Sequence, residues 1–332
     1  MTAPGLPAAP ALMCGEVRTC LLPNRDAVDG RAAGRLLRLR PDEGVRLSRR
    51  PNPYALSPDV LTGVDCRLPT ASGAKVRAVG TVAARAALTE GRVLQATAYF
   101  SAPAGGPDRR RPWGYYLVRP GVLVPVGRLP RETVVRGFLG EARSPGSPGT
   151  ADPLDTGSIA QGLLDRISRQ YRLLDQDPPL RTSDTRLRWA ALSAPAGTPS
   201  RLVNFTVDDE AGLRTAELRV PEDIEPGAVA ALCEDLALHD WLLTTVGQKL
   251  DGLPLAAADG AAALKVLRPL VEHLLHVWMP GARLDPALGP LWQTLEQRPG
   301  FTRQWSNLVQ RVRDQMALRA LLAHSDAALA PR

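Results

Sequence analysis

The segment LCEDLALHDWLLTTV, residues 232–246, places a thiol, three carboxylates and an imidazole within one apolar run. These residue types serve as nucleophiles, general bases and metal ligands in enzymes. On a helix, Asp235 precedes His239 by four residues, so its carboxylate can reach the imidazole and fix the tautomer or raise the pKa. An enzyme with a site around His239 and Asp235 is therefore one hypothesis for this chain.

The apolar spacing around the same histidine favours a structural role instead. His239 lies in the middle of a stripe with spacings of three and four residues, formed by Val229, Leu232, Leu236, Leu243, Val246 and Leu250. Buried polar groups are normally hydrogen-bonded, and most such His-Asp pairs hold the fold together. We predict that His239 is a core histidine, bonded by Asp235 or by a neighbouring sheet.

The remaining motifs point to no catalytic, metal or cofactor site. The sequence contains no GxxxxGK[ST], no GxGxxG after a strand, no GxSxG and no HExxH. His273 and His276 lie with Glu272 on the predicted solvated side of a helix, and no third metal ligand occurs at a recognisable spacing. We therefore predict no metal and no cofactor. The absence of these motifs does not exclude an enzyme, because catalytic residues can be scattered through the chain, but a protein that is not an enzyme is favoured.

Charge and composition divide the 332 residues into two parts. Residues 1–150 carry 22 basic and 11 acidic side chains, net +11, whereas residues 151–332 carry 19 and 23, net −4. The segment 143–157 is rich in proline, glycine and serine, which favours a linker. We predict a basic, mainly β domain at 1–142, a linker at 143–157 and an acidic α+β domain at 158–332. Ser158 and Gln161 form a capping-box signature that begins the first helix of that second domain.

The predicted fold class is α+β in two domains. Strands are predicted at 12–22, 76–87, 92–100 and 115–126, with a short helix near 27–39, which together form a small mixed sheet. In the second domain, segments 185–193, 201–208 and 213–220 predict a three-stranded antiparallel sheet. Helices near 226–250, 259–279, 289–297 and 302–323 are expected to cover one face of it.

Two segments could bind a partner. Arg109, Arg110 and Arg111 precede Trp113 and Tyr115, which would share one face of a strand and could stack on nucleic-acid bases beside the guanidinium groups. The last helix carries a mainly apolar stripe that could bind a partner helix, although packing of this stripe on its own domain is the simpler expectation. That stripe contains Trp305, Val309, Val312 and Met316.

The compartment follows from cysteine usage and apolar run lengths. Four cysteines at irregular spacing form neither a CxxC pair nor a disulfide framework. Charges interrupt the apolar stretches before the ~18 residues that a membrane span needs. The N-terminal segment lacks the basic region and apolar block of a secretory signal. We expect a cytoplasmic protein that does not insert into a membrane.

Several segments resemble an uncharacterised actinobacterial protein family of Streptomyces type. They are GEVRTCLL (15–22), LSPDVLTGVDCRL (56–68), VRAVGTV (76–82), RRPWGYYLVRPG (110–121) and CEDLALHDWLLTTV (233–246). The resemblance implies that the gene for this chain lies beside genes for a variant P-loop protein and a SAM-dependent methyltransferase. It assigns no catalytic residue. We therefore predict a non-catalytic interaction or scaffold component of a multiprotein system with those neighbours as partners. A nucleic-acid-binding protein that uses the arginine-rich first half is the alternative.

Overall fold

A computed structural model describes residues 10–141, 154–253 and 260–329. Ten strands form one mixed sheet. The strands are β1 (Leu12–Leu21), β2 (Arg46–Ser48), β3 (Tyr54–Leu56), β4 (Val60–Leu68), β5 (Val76–Thr89), β6 (Val93–Ala102), β7 (Leu123–Pro125), β8 (Thr185–Ala194), β9 (Arg201–Asp208) and β10 (Leu213–Pro221).

The helices of the described residues lie mostly in the second half of the chain. They are α1 (Gly30–Leu36), α2 (Trp113–Leu117), α3 (Arg131–Glu141), α4 (Thr156–Ser168), α5 (Pro226–Asp251), α6 (Gly260–His273), α7 (Gly289–Gln297) and α8 (Phe301–Leu329). Two short 3₁₀ turns, Leu275–Val277 and Pro286–Leu288, connect α6 to α7. Among the residues that the structure describes, no helix is both long and apolar enough to cross a bilayer.

The sheet joins strands from both halves of the chain. Its order is β2-β3-β5-β6-β1-β8-β10-β9, with β4 and β7 paired to the long strand β5. β1 lies at the centre and is antiparallel to both β6 and β8. Since the strands of both predicted domains lie in one sheet, the two-domain division is not confirmed.

Helices cover both faces of this sheet, so the protein has three layers. α5 packs on β1, β6 and β8 from one side, and α4 packs on β1, β5 and β6 from the other. The first core lies under α5 to α8, and the second lies under α1, α3 and α4. This arrangement explains why β6 is buried at every position, although only Leu94, Ala96, Ala98 and Phe100 are predicted to face inward.

The described strands and helices confirm the mixed α and β content, with two differences in the sheet. β8 and β10 are parallel, so the predicted antiparallel three-stranded sheet is wrong in detail. The segment 115–126 is not one strand: it contains the end of α2 and then the short β7. Pro112 directly precedes α2, and proline suits a helix start because it has no N–H to pair.

The predicted linker lies mostly outside the described residues. Its last residues belong to the fold, because Leu154 is buried and α4 begins at Thr156. Asp155 caps α4 and accepts a hydrogen bond from the Ser158 backbone N–H at 3.0 Å. α4 therefore begins at Thr156, and its N-cap is Asp155 and not the predicted Ser158.

The hairpin between β5 and β6 requires a glycine at its turn. Gly91 has a φ of 60°, in the left-handed region that favours glycine. A Cβ atom there would lie 2.1 Å from the Val28 carbonyl oxygen. The turn therefore holds the segment before α1 close to the sheet, and the Val28 N–H donates to the Gly91 carbonyl at 3.0 Å.

Candidate functional site

The polar residues of α5 are held by partners in other parts of the fold. α5 is buried along most of its length, because the sheet and α8 pack against it and α6 and α7 belong to the same hydrophobic core. Its buried positions include Cys233, Glu234, His239 and Asp240. The cluster that resembles a catalytic site is thus inside the protein.

His239 is bonded through both ring nitrogens. Its Nδ1 donates to the Asp235 backbone carbonyl at 2.7 Å, and its Nε2 accepts from the Met279 backbone N–H at 3.2 Å. These two bonds assign the neutral tautomer with the proton on Nδ1. The ring is 1% exposed and lies edge-on to Trp278 and Trp292. His239 therefore holds the loop from Trp278 to Gly281 against α5.

Asp235 holds the same loop and is not hydrogen-bonded to the imidazole. Its Oδ2 accepts from the Gly281 backbone N–H at 2.8 Å, whereas Oδ1 lies 3.7 Å from His239 Nδ1. Burial raises the pKa of Asp235 and lowers the pKa of His239. The lowered pKa makes His239 a weaker base, and no hydrogen bond to a described carboxylate opposes that change, so this arrangement does not activate His239.

The other two carboxylates of the segment form buried ion pairs with arginines of the sheet. Glu234 accepts from Arg85 of β5 at 2.8 and 3.0 Å, which is a bidentate pair. Asp240 accepts from Nε of Arg214 of β10, whose Nη2 also donates to Thr244 Oγ1 at 2.7 Å. Burial raises the pKa of Asp240 to about 6, and the Arg214 guanidinium opposes that rise.

The thiol of the segment has no activating neighbour. Cys233 is fully buried, and burial raises its pKa well above the ordinary value. Burial also raises the pKa of Cys14 and Cys20, which lie in β1. Reactive cysteines need a lowered pKa and solvent access, so none of these three fits a nucleophile.

The histidines of α6 and its following turn form no metal site in the described part of the chain. His276 Nε2 lies 4.0 Å from Glu90, and His273 Nε2 lies 4.0 Å from Glu272. No group of three potential ligands is close enough to hold a metal ion among the described residues.

Two adjacent clefts lie on the sheet beside the N-terminal half of α5. The inner cleft has a volume of about 530 Å³ and contains Tyr54, Arg85, Asp235 and Arg283 in its wall. The outer cleft has a volume of about 860 Å³ and extends to Tyr115 and Arg119. Both clefts share Asp59, Tyr99 and Gly227, and His239 lines neither of them.

The predicted strand with Trp113 and Tyr115 is the short helix α2, and it carries an exposed apolar surface. We call this surface the α2 patch; it consists of Leu61, Trp113, Tyr115, Leu117 and Val118. The exposed fraction is 41% for Trp113, 36% for Tyr115, 59% for Leu117 and 69% for Val118, the C-cap of α2. Leu61 of β4 is also exposed, and it lines the outer cleft with Tyr115.

Arginines surround the α2 patch and cover its aromatic rings. Arg119 lies 4.2 Å from the centre of the Tyr115 ring, and Arg110 lies 5.7 Å from that of Trp113. Arg109 and Arg111 are exposed beside them. Because guanidinium groups already lie over both rings, the patch is less suited to base stacking than the sequence indicates.

The predicted interface stripe of the last helix is mainly part of the core. Trp305 and Val312 of α8 are buried, Val309 is half-buried, and Met316 is exposed. Trp305 stacks on Trp278 with ring centres 4.6 Å apart. The stripe thus packs against its own fold, and only Met316 remains open to a partner.

No protein family, no curated protein and no solved structure matches this chain.

The functional assignment therefore depends on the chain's own surface and clefts. Sequence patterns indicated Trp113 and Tyr115 but missed Leu61, Leu117 and Val118. A five-residue helix is too short to display helical periodicity, so its exposed face carries no sequence signal. The inner cleft was missed as well, because Tyr54, Thr89 and Arg283 lie far apart in the chain.

Proposed function

We propose that the protein is a non-catalytic interaction component that binds an acidic segment of a partner protein through the α2 patch. The observation that carries this proposal is the exposure of Trp113, Tyr115, Leu117 and Val118 on one short helix and its C-cap. Contiguous exposed apolar surface marks interaction sites, and tryptophan, tyrosine and arginine are enriched at them.

Charge supports an acidic partner segment. Arg109, Arg111 and Arg119 lie within or beside the patch, and the first 150 residues carry a net charge of +11. Complementary charge increases the association rate and selects the partner. The family resemblance suggests the variant P-loop protein and the methyltransferase as the partners to test first.

The enzyme alternative around His239 and Asp235 has less support. The two groups are held by backbone bonds to the Trp278 to Gly281 loop, and His239 is enclosed. A general base needs access to the proton that it removes. The nucleic-acid alternative is an outcome of the following test.

Replacing Trp113 with alanine is expected to weaken binding of the partner about thirtyfold, since truncation of a central tryptophan costs about 2 kcal/mol or more. The tagged full chain is purified from its host with and without nuclease, and the affinities of recovered neighbours are then measured by calorimetry. Leu117→Asp is a second variant, because it adds a charge to an exposed site without removing core packing.

Leu318→Asp is the matched control, because Leu318 is an exposed leucine on α8, away from the patch. It should bind the partner as the unaltered protein does. If the P-loop or methyltransferase neighbour binds all variants equally, the α2 patch is not the interface. If only nuclease-sensitive material is recovered, the protein is a nucleic-acid binder.

A further inference from the structure

The inner cleft contains polar atoms that the fold leaves without a partner. Thr89 of β5 is 1% exposed and lines the cleft, yet its Oγ1 forms no hydrogen bond with any described residue. The Nε of Arg283, in the same wall, is also buried and unpaired. Buried polar atoms are nearly always satisfied, so two orphans in one cleft indicate a bound polar ligand or water.

Charged groups of both signs line the same cleft. Arg85 and Glu234 neutralise each other in the bidentate pair. Two other guanidinium groups remain, those of Arg46 and Arg283, and two other carboxylates, those of Asp59 and Asp235. The cleft therefore offers two cations and two anions beyond its internal ion pair.

These remaining groups keep hydrogen-bonding capacity. Arg283 donates through Nη2 to the Asn52 backbone carbonyl at 2.8 Å and to the Asn52 side-chain Oδ1, and neither bond uses its Nε–H. The Arg46 side chain is exposed, and its guanidinium forms no hydrogen bond or ion pair with a described residue. Asp59 accepts one hydrogen bond, from the Tyr99 hydroxyl at 2.8 Å, on Oδ2, and Asp235 accepts one from Gly281. A carboxylate has two oxygens with about four acceptor positions, so both can accept more.

Much of the remaining wall is apolar, and the Gln95 amide, which also lies in it, already donates to Thr19 and to the Glu234 carbonyl. Leu56, Leu238 and Leu284 line the cleft, and Ala228 and Ala231 of α5 leave space between them. Arg283 lies 4.3 Å from the centre of the Tyr54 ring, which fixes the guanidinium without using its Nε–H. A volume of about 530 Å³ is within the range of small-molecule sites.

We propose that the inner cleft binds a zwitterionic small molecule, an α-amino acid with an apolar side chain. Its carboxylate is bound by Arg283 and Arg46, and the Thr89 hydroxyl donates to it. Its ammonium group donates to Asp59 and Asp235, and its side chain packs on the leucines. A simple anion or a simple cation would each leave one pair of charges unused.

The first test compares a zwitterion with its two truncated forms. Leucine, isoleucine, valine, methionine and phenylalanine are screened by thermal unfolding of the full chain, and binding of those that stabilise it is measured by calorimetry. For leucine, 4-methylpentanoate lacks the amino group and 3-methylbutylamine lacks the carboxylate. We expect at least one amino acid to raise Tm, and its truncated forms to bind at least about tenfold more weakly.

The proposal is overturned if none of the five amino acids raises Tm. It is also overturned if either truncated form binds as tightly as the amino acid, because either the arginines or the aspartates would then contribute nothing to binding.

Two variants test the assigned contacts without removing core packing. Thr89→Val keeps the side-chain volume and removes a hydroxyl that has no protein partner, so the free protein should be at least as stable as before. Arg46→Gln changes an exposed residue of β2. Both should weaken binding about tenfold or more, whereas Arg268→Gln, on the exposed face of α6, should not change it.

Unchanged affinity in both Thr89→Val and Arg46→Gln would contradict the assigned site. This inference does not depend on the proposed partner interface, since Trp113→Ala and Leu117→Asp change no group of the inner cleft. Loss of partner binding and loss of amino-acid binding are therefore separate results.

Discussion

Replacing Glu234 with alanine is expected to lower the free energy of unfolding by about 3–5 kcal/mol, the cost of removing one partner of a buried ion pair. The substitution leaves the Arg85 guanidinium, whose side chain is 6% exposed, without its carboxylate. The Gly227 carbonyl, which accepts from Arg85 at 3.1 Å, cannot neutralise that charge. Urea unfolding of the variant measures the loss.

A double variant separates the ion pair from simple loss of volume. Arg85→Met combined with Glu234→Met removes both charges and keeps apolar volume, so it should be much more stable than Glu234→Ala. Glu272→Ala, which breaks an exposed pair with Arg268, should leave the urea midpoint unchanged. A loss below about 1 kcal/mol for Glu234→Ala would show that Arg85 is not left as an uncompensated buried charge.

Local patterns predicted the elements well where one periodic signal extended over many residues. β1, β5 and β6 and helices α5, α7 and α8 lie close to their predicted positions. The pairing of β1 with β8 was not predicted, because it joins residues about 170 positions apart and no local signal encodes it. Without that pairing, the change in charge and the proline-rich segment suggested two separate sheets.

The buried ion pairs of the fold could not be predicted from the sequence for one physical reason. A charge within an apolar pattern normally marks a solvated face, because burying an unpaired charge is costly. Here Glu16 of β1 pairs with Arg188 of β8 at 2.8 Å, and Glu234 and Asp240 of α5 pair with arginines of other strands. Each partner lies far away in the chain, so the compensation is visible only in the fold.

The candidate site was predictable only in part for the same reason. The aromatic residues at 113 and 115 have a local signal, since arginines precede them directly. The inner cleft has none, because it combines β3, β5, α5 and the loop after α6. The apolar stripe through His239 correctly predicts burial, but the Met279 N–H that completes its bonding comes from forty residues further on.

His239 should make the protein less stable as the pH falls below about 6.5. Burial lowers the pKa of His239 in the folded state, whereas the unfolded chain takes up a proton near the ordinary value of about 6.5. Between these two pKa values the unfolded state binds more protons, so stability falls with decreasing pH by up to about 1.4 kcal/mol per pH unit. Asp235 and Asp240 act oppositely, because their folded pKa values are raised.

Comparison with variants isolates the histidine contribution from those carboxylates. His239→Gln removes the titrating ring. The unfolding free energy of the unaltered protein minus that of the variant, measured from pH 5 to 8, should decrease as the pH falls. His239→Phe keeps a ring but leaves the Met279 N–H unpaired, so it should be less stable at every pH by about 1–3 kcal/mol. If the unaltered protein instead gains stability over His239→Gln as the pH falls, the imidazole is charged in the folded state. A proton-bearing His239 beside Asp235 would then reopen the hypothesis of a functional pair.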